Sequence, residues 1–544
     1  MTTMATVYAR RVLGLATLAV AALMAPSSAR ACVVGTGTGA SCTEAALNAC
    51  FPGGGNFDGS VTFSCGGAAT IPITSAKTVS AATSIDGGGV ITISGGHGVA
   101  VFIVDPGVTF TVQSLTIANG HDVTFASGIQ NNGTTTATNC TFSGNAGGTG
   151  GAVYNDLGQS LTIAGCTFSG NTATVRGGAV YNNGILTLTD STFAGNTVQG
   201  GGKGGALDNE FQADVTGCTF SGNTAAAGGH GGAIYTGATL TLANSTITGN
   251  TAAAGGDGGG IYNDSDDLTV LDCTISGNTA DGSGGGMFLN GDATATNTIV
   301  AGNSGGNCSS FSVTDGGHNI DDGTTCGFAG GGCTATPGTS LCQTDPGLDP
   351  AGLADNGGPT QTIALLAGSP AIDDGDPDVC AAPPVSGVDQ RGVVRPQPPG
   401  GGCDVGAFEF GATPASTTTT TTTITTTTTT PCGVPAPTFE SIDCRLDQLI
   451  AQVQSATDLG KVKRSLLHSL TLARDRKVAA EGIAATNQTV AKKRLKVAFR
   501  KMISFNFRVR SLVARKTIPR PTRNSLGDQG RPIQKDVQTL LRTL

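Results

Sequence analysis

Three aspartates, Asp156, Asp208 and Asp264, recur at similar points of a repeated phrase, and paired carboxylates are the residues here best suited to chemistry. Two carboxyl groups on one edge can protonate a glycosidic oxygen and activate a water across the bond. Aligning the phrase gives one column of Asp156, Asn183, Asn209, Gly237, Asp264 and Asn290. The neighbouring column reads Asn155, Asn182, Asp208, Thr236, Asn263 and Leu289. If each phrase is one coil, Asp156 and Asp208 stand two coils apart, about 9–10 Å, near the separation of an inverting pair. Asp and Asn are also the ordinary residues of tight corners. The corner reading is our expectation, and the catalytic edge is its alternative. Asp257, Asp264, Asp266 and Asp267 carry the oxygen ligands that Ca²⁺ takes, but no regular acidic repeat demands the ion. No cofactor is expected.

Bases are scarce. Between residues 32 and 431 they are Lys77, Arg176, Lys203, Arg391 and Arg395, against 30 acids, a net charge of −25. β-Elimination of a polyuronate needs a strong base beside Ca²⁺, and an acidic body repels such a substrate unless Ca²⁺ bridges the two. His97 lies in a Gly-His-Gly run at 96–98 without the partner motifs of a polygalacturonase, and His230 lies between glycine pairs; both read as loop residues. No Cys-x-x-Cys pair or His cluster has metal-ligand spacing.

The elements that position these residues are repeats. CTFSGN stands at 140–145, 166–171 and 218–223, with STFAGN, STITGN and CTISGN at 191–196, 245–250 and 273–278 and a stretched copy ending at Asn303. The closing asparagines, Asn145, Asn171, Asn196, Asn223, Asn250, Asn278 and Asn303, are separated by 26, 25, 27, 27, 28 and 25 residues. A near-constant step of this size marks a stacked repeat. Apolar residues alternate within each unit, as in Leu186-Thr187-Leu188, which is strand period. Short strands broken by Gly-Asn and Gly-Gly corners predict one turn of a parallel β-helix per unit. A lone unit buries too few side chains to offset its backbone entropy of about 1–2 kcal/mol per residue, so the units must stack. The asparagines are read as a structural ladder, since Asn tolerates left-handed corners and stacked amides hydrogen-bond along the axis.

Sixteen cysteines suggest disulfides in an oxidising compartment. Cys32, Cys42, Cys50 and Cys65 crowd one end of the repeats. Cys308, Cys326, Cys333, Cys342, Cys380 and Cys403 crowd the other. Cys140, Cys166, Cys218 and Cys273 share one inward position; only Cys140 and Cys166 fall on successive coils, and Cys218 and Cys273 are expected to be buried thiols.

After the repeats come GSPAID at 368–373, DQRG at 389–392 with Arg395-Pro396 soon after, and CDVGAFEF at 403–410. This set resembles the closing module of exported bacterial β-helix proteins of the choice-of-anchor Q type. The repeats resemble units of polymorphic outer-membrane adhesins. The resemblance covers about residues 40–410. It implies a right-handed parallel β-helix, pectin-lyase-like in architecture, at the cell surface or outside it, and it carries over no catalytic residue.

The rest of the chain fits export. Residues 1–31 read as a signal peptide: Arg10 and Arg11, an apolar run from Val12 to Ala25, and Ala29-Arg30-Ala31. Residues 32–410 form the β-helix, with an N-terminal cap and a closing module over 304–410. Residues 411–431 are a Thr-rich linker. Residues 432–544 hold 22 Lys+Arg and 8 Asp+Glu, net +14, with helical periodicity over 439–456, 458–485 and 491–512 and a last helix over 532–543. We therefore expect a mainly β chain with a small basic helical bundle, secreted or held at the cell surface. The leading function is non-enzymatic adhesion or display, with surface glycans or neighbouring cells as partners of the β-helix and anionic envelope polymers as partners of the basic domain. Nucleic acid is disfavoured by export. A carbohydrate-active or carbohydrate-binding β-helix is one alternative, and a structural envelope component another.

Overall fold

The computed structural model describes residues 31–264, 267–310, 313–328 and 339–411, with scattered positions from 442 to 539. Two compact units are separated near the Thr run, Met1–Thr418 and Thr419–Leu544. The expected signal peptide and most of the expected helices lie outside the described residues. So do Asp266 and Cys333.

Each repeat winds one coil of four short strands. In one coil Val180–Asn182 lies in sheet B, Ile185–Thr189 and Thr192–Ala194 in sheet A, and Thr197–Val198 in sheet C. Every strand pairs in parallel with its copies before and after, so Val180 faces Val153 and Leu207, and Phe193 faces Phe168 and Phe220. Sheet B has ten strands, and sheet C six. Strand alternation sends Leu186, Leu188, Phe193 and Val198 inward to complete burial. Inside, Phe142, Phe168, Phe193 and Phe220 stack at 4.5, 4.6 and 4.8 Å between centroids. Each such ring contributes about 1.5–3 kcal/mol by burial.

The asparagine ladder is present. The Asn145 amide donates to Asn171 Oδ1 at 3.0 Å, and the chain continues through Asn196, Asn223, Asn250 and Asn278 to Asn303. It extends one rung further, to Asn307. Each inner amide is fully satisfied. Asn171 Oδ1 accepts from both the Asn145 backbone and side chain, while its Nδ2 donates to Phe142 O and Asn196 Oδ1. The reason given for asparagine needs one correction. The left-handed corner falls on the preceding residue, such as Gly170 at φ 60° and Gly195 at φ 62°, while the asparagines turn inward. In the glycine pairs the second member is demanded by contact: a Cβ on Gly205 would lie 2.0 Å from Gly232 O of the next coil.

A second ladder runs along sheet B: Asn131 to Asn155 to Asn182 to Asn209 to Thr236, at 2.7–3.1 Å. The cysteine column is also inward. Cys140, Cys166, Cys218 and Cys273 are all buried and free, so the two on successive coils are not bonded. Their sulfur or the Ser, Thr hydroxyl replacing it accepts the backbone N–H of the coil before, as Cys166 Sγ does from Cys140 N and Ser191 Oγ from Cys166 N.

The N-terminal cap holds a short helix, Glu44–Ala49, capped by Thr43 and stapled by Cys32–Cys50 and Cys42–Cys65. Lys77 pairs with Glu44 at 2.5 Å. Burial works against the charge, but the Lys77 and Thr74 hydrogen bonds hold the Glu44 carboxyl down at about 2.

The closing module does more than finish the stack. Residues 360–406 lie along the flank of the coils, at the corner between the two strands of sheet A. Thr360 Oγ1 donates to Gly217 O, Asn244 Nδ2 to Val388 O, and Asp376 N to Asn297 Oδ1. Gln390 spans two coils: its amide donates to Thr219 Oγ1 at 2.8 Å, and its Oε1 accepts from Thr246 Oγ1 at 2.6 Å. Arg395, fully buried, pairs with Asp272 of the coil at 3.4 Å and Glu409 at 3.5 Å, and donates to Asp404 O and Gly406 O. Arg391 pairs with Asp389 at 2.7 Å and lies 3.6 Å over the Phe408 ring. Cys380–Cys403 ties the module together. In the second unit residues 530–539 are helical, and Arg445 pairs with Asp536 at 2.8 Å.

Candidate functional site

Outward side chains of sheet B line up as Tyr154, Tyr181, Asp208, Tyr235, Tyr262 and Phe288. This moves Asp208 out of the expected column. GGALDN at 204–209 has the same length as GGAVYN at 177–182, so Asp208 takes the tyrosine position and Asn209 the ladder position. The adjacent corner column becomes Asp156, Asn183, Glu210, Gly237, Asp264 and Asn290, each donating its backbone N–H to the ladder position of the coil before. Asp156 and Asp208 therefore do not share an edge as a glycosidase pair would, and Asp156 and Asp264 stand four coils apart.

The rings stack face to face. Centroids are 5.4 Å apart for Tyr154–Tyr181, 5.3 Å for Tyr235–Tyr262 and 4.8 Å for Tyr262–Phe288. The stack breaks once, at Asp208. The chain has five tyrosines, and all four after Tyr8 are in this column.

Beside the rings runs a second column, Arg176, Lys203 and His230, joined by isolated parallel bridges. Of the bases in the β region, Lys77 serves the cap, and Arg391 and Arg395 serve the closing module. The remaining two are here, on successive coils. Arg176 pairs with Glu210, lies 3.8 Å from Asp208 Oδ2, and approaches the Tyr181 ring at 6.0 Å. Lys203 Nζ lies 3.9 Å over the Tyr235 ring and donates to its hydroxyl at 2.5 Å. That hydroxyl donates to Asp264 at 2.7 Å, and Asn290 donates to the other Asp264 oxygen. These hydrogen bonds, Tyr235 first, hold the Asp264 carboxyl below its usual range. His230 packs on Tyr262 at 4.7 Å and accepts from Asp257 N.

Asp208 meets this network only through charge, with Arg176 3.8 Å away. It is fully buried, and neither carboxyl oxygen has a hydrogen-bond partner. Burial, then the charge of Glu210, pushes its carboxyl well above the usual range, against the pull of Arg176 and Lys203. Burial dominates because the ionised form would give up its solvent here without gaining a hydrogen bond.

The other expected site residues are dispersed. Asp156 accepts from the Tyr154 hydroxyl at 3.2 Å, Asp257 from Ser283 N, and Asp267 from Thr239 Oγ1. Among the described residues no three His, Cys, Asp or Glu side chains are grouped to hold a metal ion. His97 occupies a turn at φ 58°, as a loop residue does. A recess of 430 Å³ at the N-terminal end is lined by residues 62–67, 86–88, 90 and 91, with Asp86 its single carboxylate.

The family model described as right handed beta helix region matches residues 80–245 and 180–340. The fold is a right-handed parallel β-helix. No curated protein and no solved structure matches the chain. Within this β-helix the arrangement offers a flat aromatic stripe rimmed by hydrogen-bonding groups of both kinds. Sequence reasoning missed it by weighing carboxylates and leaving out the tyrosines, although their confinement to VYN, IYT and IYN was visible.

Proposed function

We propose that this is an exported, non-enzymatic β-helix protein that adheres to surface glycans through the outer face of sheet B. The observation that carries this reading is the gathering of every tyrosine after residue 31 into one outward column, flanked by the two bases of the coils. The stacked rings turn a row of apolar edges and hydroxyls outward, and the rim of Asp, Asn, Glu, Arg and Lys meets a sugar's hydroxyls. Four disulfides between described cysteines agree with export. The resemblance to choice-of-anchor Q proteins and outer-membrane adhesins supports a surface location. The basic 432–544 domain is read as a grip on anionic envelope polymers.

The test is a glycan array probed with the full mature chain, followed by Tyr262→Ala. Binding that falls with this substitution supports the reading; binding indifferent to it, or none, ends it. A second reading, a polysaccharide hydrolase or lyase, is favoured by the raised carboxyl of Asp208 beside Arg176 and Glu210. Release of reducing ends or unsaturated uronides from a polysaccharide panel would select it.

A further inference from the structure

The break in the aromatic stripe is a site in its own right. Asp208 replaces a ring in a column where every neighbour is a ring, so Tyr181 and Tyr235 face one another across two coil spacings, about 10 Å. The place of the missing ring is taken by the Arg176 and Lys203 side chains, the guanidinium 6.0 Å from the Tyr181 ring and the ammonium 3.9 Å from the Tyr235 ring. At its floor is a carboxyl group whose two oxygens accept no hydrogen bond. Its roof is made of the Arg176 and Lys203 side chains, each about one-third exposed and each lying toward one wall. Both are long side chains, held by Glu210 and by the Tyr235 hydroxyl, and an occupant of the slot requires them to rotate away.

An apolar ring of this column's own kind would fill the gap but leave the carboxyl group stranded. A buried unpaired polar group costs about 1–3 kcal/mol, so an occupant must offer both hydrogen-bond donors and acceptors at its rim and apolar faces above and below. A pyranose ring has that form. A uronate is disfavoured by the surroundings: Glu210 and Asp264 flank the site, and the β region carries a net charge of −25. Resting on the glycan-binding reading above and going beyond it, we propose that Asp208 marks a subsite that sandwiches one neutral pyranose unit of a polysaccharide between Tyr181 and Tyr235. The Asp208 carboxyl hydrogen-bonds the hydroxyls at the sugar's rim, while Arg176 and Lys203 close over it.

The experiment titrates the full mature chain with soluble neutral polysaccharides (β-glucan, mannan, galactan) and with polygalacturonate, in mildly acidic buffer. Asp208→Tyr completes the ring column and fills the slot; it should weaken neutral-glycan binding at least about tenfold. Asp208→Asn keeps a donor and an acceptor without charge and should stay within about threefold of wild type. If Asp208→Tyr does not fold, Tyr181→Leu removes one wall without crowding and should weaken binding comparably. Neutral-glycan binding unchanged by Asp208→Tyr, or by Tyr181→Leu, overturns the subsite while leaving the stripe as a binding face. Wild type that prefers polygalacturonate overturns the ligand class. Wild type that binds no glycan overturns both this subsite and the reading on which it rests.

Discussion

At the scale of single residues, the inward polar side chains hold most of the specificity. Asn196 illustrates why. Its Oδ1 takes the Asn171 backbone and side-chain donors, and its Nδ2 serves Phe168 O and Asn223 Oδ1. Asn196→Ala strands two buried donors, each costing about 1–3 kcal/mol. Chemical denaturation should show a loss of about 3 kcal/mol or more. Thr187→Ala, on the exposed side of the same coil, should change stability by less than about 0.5 kcal/mol. The buried thiols make a second prediction. Burial pushes Cys218 up to about 12 and Cys273 higher still. The reactive species is the thiolate, so neither should be alkylated in the native protein, and both should label on unfolding. Mass spectrometry of native-state adducts checks this. The Asn and Cys columns were readable from spacing. The slip at Asp208 was not, because one polar residue in an aromatic position resembles a shift of the corner column by one.

At the scale of elements, the closing module is a clamp whose grip depends on pH. Burial is the main cause that pushes Asp272 and Asp404 up to about 6 and Glu409 to about 7, with Arg395 opposing it in each case. A raised acid pKa means that the folded clamp keeps protons the unfolded chain has released. Stability from these groups is therefore full below the ordinary carboxylate range. It falls as pH rises through about 6–7 and is level above. Thermal unfolding followed from pH about 4.5 to about 8 should show the midpoint dropping across that window. Arg395→Met leaves Asp272 and Glu409 without their buried cation, a loss of about 3–5 kcal/mol when both are ionised. The deficit should shrink on acidification, because protonation removes the stranded charges. A deficit that is the same at both ends of the range would contradict this account. The DQRG, Arg-Pro and CDVGAFEF motifs were legible as a unit, but the closing module's partners, Thr219, Asn244, Asp272 and Asn297, lie 79–171 residues earlier in the chain. No local pattern announces a contact of that span.

At the scale of the whole molecule, charge is partitioned. The β region carries net −25 and residues 432–544 net +14. No helix among the described residues is long and apolar enough to cross a membrane. If the basic domain grips anionic envelope polymers, deleting residues 432–544 should release the β-helix into the medium, and raised salt should do the same to the intact protein, because exposed charges are screened over about 10 Å at 0.1 M. Fractionation of cells bearing each form measures it, and equal retention removes the anchoring role. What the sequence determined alone was periodic: coil length, strand alternation, the inward Asn and Cys positions, and the placing of cysteines at the two ends. Those follow from nearest-neighbour stacking, where each unit meets only copies of itself, so spacing along the chain becomes position in space. Tertiary structure alone decided what breaks that rule. It set the register that puts Asp208 among the tyrosines, the pairing of Arg176 and Lys203 around it, and the return of the closing module onto the flank. These depend on contacts between unlike segments, whose geometry no repeat encodes.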